Sequence, residues 1–197
     1  MDEMKKYSMV LWPEEGLMPK IRHLARELSE IGGKYDCIKV NPHFTLMTTF
    51  KTNKITQIIK EIREQNFKKF TVILRGPSLF NKNFVWFKAE KKDMYQIHKN
   101  VIDIVRKYKS QWILPDYKKI KLNKKQREYM NIYSFPYVLE HFLPHMALAG
   151  FNFEDEKIPE IKKAIRKQIK IKMPVKHLYI LTKRRNKWYC YKRIGLK

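Results

Sequence analysis

A short motif occurs twice in this 197-residue chain, and its recurrence constrains the fold more than any other feature. Asn41-Pro42-His43-Phe44-Thr45-Leu46 returns as Leu143-Pro144-His145-Met146-Ala147-Leu148, 102 residues later. An internal repeat means that one supersecondary unit has been used more than once. The surroundings of the two copies run in parallel. After His43, Ile55, Ile58, Ile59 and Ile62 fall at helical spacing over residues 55–65. After His145, Ile158, Ile161, Ala164, Ile165 and Ile169 do the same over 158–169. A β-rich run follows each helix, at 70–74 and 175–181. Past a polar loop comes an alternating aromatic strand, at 84–87 and 188–191. Upstream of His43, residues 7–12 read as a strand stopped by Pro13. Residues 17–31 read as a helix with Ile21, Leu24, Ala25 and Leu28 on its apolar face, closed by Gly32-Gly33. In the second copy, strand 84–87 feeds a helix over 93–108, with Asp93 as its expected N-cap. Its apolar face is Met94, Ile97, Val101, Ile104 and Val105. The expected fold class is therefore α/β (α+β), a duplicated β-α-β-α-β architecture of two lobes in one bilobal domain over 1–197.

The stretch 110–140 has no counterpart in the first copy. It carries Lys118, Lys119, Lys121, Lys124, Lys125 and Arg127, then Tyr129, Tyr133, Phe135 and Tyr137. A solvated loop or short helix is one reading. The other is a substrate-contacting insert, since aromatics among cations suit stacking on unpaired bases with phosphate attraction. On that reading Tyr133 and Tyr137 are candidate substrate-binding residues.

Charge sets the partner class. Lys+Arg number 43 against 19 Asp+Glu, a formal net charge of +24. A codon bias toward Lys explains part of this, but it would raise Glu as well. Such a field draws in polyanions, and nucleic acid is the expected partner. An anionic membrane surface fits less well, because no basic amphipathic helix presents an aromatic insertion face. No apolar run is long enough to span a bilayer, and the N-terminus lacks the pattern of a signal peptide. Two cysteines, Cys37 and Cys190, allow at most one disulfide. A cytoplasmic monomer is the expectation.

Two histidines on equivalent strands of related lobes can face each other across a groove. An imidazole titrates near neutrality, so one can be neutral while its partner is protonated. In-line cleavage of a phosphodiester needs that pair: a base for the attacking oxygen and an acid for the leaving one. Thr45, two residues along the strand from His43, points the same way and can donate to the non-bridging oxygens. His43, His145 and Thr45 are thus the candidate catalytic residues. His23, His98, His141 and His177 have no such partner. A metal site is not expected: Pro144 breaks a helical pairing of His141 with His145, and no third ligand stands at metal spacing.

These residues resemble a known family, the 2H phosphoesterases, which include RNA 2′,3′-cyclic phosphodiesterases and 2′–5′ RNA ligase-like proteins. Tyr7-Ser8-Met9-Val10-Leu11-Trp12-Pro13 resembles the family's opening strand, and Pro42-His43-Phe44-Thr45-Leu46 its first His-x-Thr motif. The stretch from Leu79-Phe80 to Val85-Trp86 resembles the crossing into the second lobe. Residues 178–191, with Thr182, resemble the closing hairpin. The resemblance implies sheets facing across a central cleft and histidine chemistry without a cofactor, and it adds Trp12 and Thr182 to the candidate substrate contacts. One position departs from the pattern. The second motif reads His145-Met146-Ala147, so Ala147 would stand beside the phosphate without a hydroxyl. The implied activity is hydrolysis of 2′,3′-cyclic phosphates on RNA ends or nucleotides. A phosphodiesterase for 2′–5′-linked or cyclic oligonucleotides, and a catalytically weakened RNA-binding module, are the alternatives.

Overall fold

The computed structural model describes residues 4–32, 41–81, 84–150, 154–166, 169–185 and 187–197. Its strands are β1 (Lys6–Leu11), β2 (Phe44–Lys51), β3 (Phe70–Phe80), β4 (Phe84–Lys88), β5 (His145–Ala149), β6 (Ile169–Val175), β7 (His177–Arg184) and β8 (Lys187–Gly195). Its helices are α1 (Met18–Gly32), α2 (Ile55–Glu64), α3 (Lys91–Tyr108), α4 (Lys124–Tyr133) and α5 (Ile158–Ala164). The strands form one curled antiparallel sheet in the order β6-β3-β4-β5-β2-β1-β7-β8. Cys37 lies outside the described residues, and Cys190 is a free, exposed thiol.

Two lobes are present, but they are not the two halves of the sequence. One strand of each repeat crosses over: β3 pairs with β4 of the second copy, and β7 pairs with β1 of the first. The lobes meet at β2 and β5 through a single ladder pair, Phe44 with Met146. Period-two alternation then sorts the side chains. Phe44, Leu46, Met146 and Leu148 are buried on one face, against Ile21, Ala25 and Leu28 of α1, Ile58 and Ile62 of α2, and Val101 and Val105 of α3. Truncating such a side chain costs roughly 3–5 kcal/mol for a Phe. Thr45, His145 and Ala147, on the opposite face, are only partly buried.

Two expected elements change. The helix expected over 158–169 ends at Ala164, and β6 begins at Ile169. Residues 169–175 in fact alternate, with Ile169, Ile171, Met173 and Val175 turned inward and Lys170 and Lys172 outward. Pro174 is tolerated there because β6 is an edge strand. The N-cap of α3 is Glu90, and Asp93 instead sits in the first turn, where its charge complements the helix dipole.

The insert is largely ordered. Asn123 opens α4 with a capping box: its side chain accepts from Gln126 N at 2.8 Å, and Gln126 Oε1 accepts from Asn123 N at 3.1 Å. The helix packs on α3, and the chain beyond it returns to β5 past His98, which is fully buried. His98 Nδ1 donates to the Leu46 carbonyl at 2.9 Å, and Nε2 accepts from Leu139 N–H at 3.3 Å. Its ring stacks on Phe142 at 3.8 Å. One imidazole therefore ties α3 to β2 and to the segment that leads into β5.

That tie requires the neutral ring, because a protonated Nε2 cannot accept. Burial holds the His98 pKa down at about 4, against 6.5 in the open chain. Between those values the unfolded chain binds the extra proton, so stability falls as pH drops from 6.5 toward 4, by roughly 3 kcal/mol from this residue. His98→Gln cannot titrate. Its stability deficit, measured by urea unfolding, should be largest at neutral pH and shrink toward pH 4. A deficit independent of pH would show that the His98 pKa is the same in the folded and unfolded chain, so that the neutral ring is not required.

Candidate active site

Register places the motif residues on one face. With Phe44 opposite Met146, Thr45 stands opposite His145, and His43, just before β2, opposite Ala147. His43 and His145 are thus diagonal neighbours, which in an antiparallel pair puts them about 7–8 Å apart. The flanking pairs extend both rows. Val10 pairs with Thr45 and with Tyr179, Lys88 pairs with His145, and Trp86 pairs with Ala147.

Both imidazoles are oriented alike. His43 Nδ1 lies 2.7 Å from the Asn41 carbonyl, and His145 Nδ1 lies 2.8 Å from the Leu143 carbonyl. In each case the partner is the carbonyl two residues upstream. A carbonyl oxygen can only accept, so Nδ1 carries the proton and Nε2 is left for chemistry. Pro42 and Pro144 lie between each carbonyl and its histidine, and each proline ring fixes φ at about −65° there. Burial lowers the pKa of both rings, opposed by these carbonyls, and the charge of His145 lowers that of His43 further. The two histidines therefore feel each other across the seam.

Aromatic groups wall the face on both sides. Trp12 packs against Tyr179 at 4.4 Å, the rings tilted by 35°, on the His43 side. On the other side, Trp86 lies 5.1 Å and Phe84 5.9 Å from the His145 ring, with Phe80 packed on Trp86 at 4.3 Å. The indole N–H groups of Trp12 and Trp86 are buried without a hydrogen-bond partner. An orphaned donor costs about 1–3 kcal/mol, so this face retains donor capacity for an acceptor-rich ligand. Lys88 adds a cation, its ammonium 5.4 Å from the Trp86 ring. Among the described residues, no cluster of three or more His, Cys, Asp or Glu is placed to hold a metal ion.

His43, Thr45, His145, Ala147 and Trp12 are brought together by this register. Tyr133 is not: it is buried against α3, with Arg106 over its ring at 5.9 Å and Asp103 at its hydroxyl. Its spacing from Tyr129 put both on the packing face of α4, and that interaction overrides the stacking role expected of it. Thr182 is also misplaced by the sequence reading. It pairs with Tyr7 on the helix-covered face, and its hydroxyl donates to the Lys6 carbonyl at 3.1 Å. Tyr137 is partly exposed and stands edge-on to Tyr117, whose hydroxyl is 3.2 Å from Thr48 Oγ1 on the strand of Thr45. Tyr179, Trp86 and Lys88 join the site without having been expected, because their place depends on strand register. The remaining histidines are engaged elsewhere: His23 faces Glu27, His177 faces Glu14, and His141 abuts Tyr129.

A family model described as the 2′-5′ RNA ligase superfamily matches residues 17–187. The chain belongs to that superfamily. Among solved structures, E. coli LigT complexed with 3′-AMP is similar over 99% of each chain, at 13% identity and a TM-score of 0.58. TT0787 of Thermus thermophilus is similar over 97% of each chain, at 12% identity and a TM-score of 0.60. The MHV ns2 PDE domain is similar over 92% of this chain and all of its own, at 12% identity and a TM-score of 0.50. At these identities the likeness is one of fold. No curated protein matches the sequence.

For this member of the superfamily, His43→Ala and His145→Ala should each lower phosphoesterase turnover by about 10²–10⁴-fold. If the two rings serve as acid and base of one step, the double variant should be little worse than either single. Multiplicative losses, or one silent single variant, would separate the two residues.

Proposed function

We propose that the protein is a metal-independent phosphodiesterase that opens 2′,3′-cyclic phosphates of RNA ends or nucleotides. The observation that carries this reading is the matched pair of carbonyl-anchored histidines, His43 and His145, each left with a usable Nε2 on one face. One neutral Nε2 takes a proton from water as its oxygen bonds to phosphorus. The opposite imidazolium gives its proton to the ribose oxygen as the P–O bond breaks, leaving a phosphomonoester. Thr45 donates to the oxygen that gains charge. Structures of LigT hold 3′-AMP, ATP and NADP+, each of which joins a base to phosphate. That company favours a nucleotide substrate here.

Ala147 leaves one donor missing from the symmetric arrangement. Trp86, directly opposite it, holds an unpartnered indole N–H and is the candidate to supply that donor. Trp86→Phe should then cost about tenfold in rate, and Ala147→Ser in that background should recover part of the loss. Thr45→Ala should be more severe. If Trp86→Phe and Thr45→Ala are both harmless, this face does not hold the phosphate.

The pH profile follows from the two depressed histidines. Below its pKa each ring is charged, above it neutral, and catalysis needs one of each. Because burial pulls both below 6.5 in the free protein, the bell in kcat/KM should centre on the acid side of 6.5. The deciding assay incubates the protein in EDTA with 2′,3′-cyclic nucleotides, 2′–5′ oligonucleotides and cyclic dinucleotides. Turnover of the cyclic nucleotides, peaking in that range, is the expected result. Selective cleavage of 2′–5′ linkages would move the substrate class, and loss of all turnover in EDTA would end the metal-free mechanism.

A further inference from the structure

Thr182, excluded from the histidine face, lines a cavity of about 830 Å³ at the outer end of the β7–β8 hairpin, with Arg184, Arg185, Tyr189, Cys190 and Tyr191. That is within the range of small-molecule sites. Tyr189 and Tyr191 are among the most exposed large aromatics of the protein, at 48% and 42%. Tyr191 is braced edge-on against the buried Tyr7 ring at 5.4 Å, and Thr182 sits opposite Tyr189. The pocket thus combines held ring faces with two guanidiniums. Burial pushes the Cys190 thiol pKa up, so the pocket is not built around a reactive sulfur.

We propose that this pocket is a second binding site, for single-stranded RNA, separate from the histidine face. A base stacks on Tyr189, and Arg184 and Arg185 take the adjoining phosphates. The occupant is a polynucleotide and not a lone anion, because cationic and aromatic groups continue around the edge strand β8. On the opposite face at the same end, Lys183 pairs with Trp188 and Lys6 with Lys51. The Lys6 and Lys51 ammoniums sit 5.6 and 5.5 Å from the Trp112 ring. No ion pair engages Lys6 or Lys183 among the described residues. The pocket lies three residues along β7 from Tyr179, about 10 Å, and on the other side of the sheet. A chain gripped there reaches the histidines by passing around one strand. The lining is aromatic and guanidinium with no aliphatic insertion group, which disfavours a bilayer as the occupant.

The test reads binding of a labelled single-stranded RNA by the intact protein, using fluorescence anisotropy across a salt series. Arg184→Gln/Arg185→Gln should flatten the slope of log affinity against log salt by about 1.4, at about 0.7 for each phosphate no longer neutralised. Tyr189→Ala should weaken binding roughly five- to a hundredfold, and Tyr189→Phe should restore it. A charge-matched variant elsewhere, Lys162→Gln/Lys163→Gln on the exposed side of α5, should bind RNA close to wild type. His43→Ala/His145→Ala should keep its RNA affinity, which separates this site from the fate of the phosphoesterase reading. Equal losses in the arginine and lysine variants would overturn the proposal, as would anionic vesicles binding this end while RNA does not.

Discussion

Phe44 and Met146 share the single ladder pair between β2 and β5, and the arrangement of the histidine face depends on it. The two strands carry opposite assignments on alternate residues, apolar toward the helices and His43, Thr45, His145 and Ala147 toward the other face. A slip of one residue at this seam would turn His145 into the core and Met146 out of it, which burial forbids. The register is therefore set by hydrophobic contact behind the sheet, and the histidines inherit their spacing from it. His98 reinforces the same join from the helix layer by holding the Leu46 carbonyl and the Leu139 amide.

The histidine face is also an electrostatic compromise. Burial in the seam disfavours charge on either imidazole, whereas the phosphate proposed as ligand would favour it. The same anion would bring an oxygen acceptor to the orphaned indole donors. On that proposal the site gains selectivity for anions by being costly when empty and satisfied when filled, and the net charge of +24 adds long-range attraction without specifying a ligand.

The parts legible in the sequence are those governed by local period. His43-x-Thr45 and His145-x-Ala147 share faces because strands alternate, and Ile21, Ala25 and Leu28 turn inward because helices do. Where two periods fit the same residues, the reading strayed. Ile165 and Ile169 suit a helix face, yet Lys170 and Lys172 complete a strand. Thr182 lay beyond local inference altogether, since its face is decided by pairing with Tyr7 across most of the chain. Tyr133 shows a related limit: aromatics beside lysines look alike whether they stack on bases or on a neighbouring helix. His98 looked idle because its partners, Leu46 and Leu139, lie far off in sequence.

The crossing of β3 and β7 has a consequence for the ancestry of such a molecule. Each copy of the motif hands one strand to the other copy and receives one in return. A chain containing one copy alone would expose an unpaired strand edge and lack the second imidazole. Two such chains, related by a twofold axis through the seam, would pair the exchanged strands reciprocally and bring two imidazoles to one face. Fusion of the pair then frees the copies to diverge, and the hydroxyl retained at Thr45 but absent at Ala147 is a difference that an identical-subunit dimer could not carry.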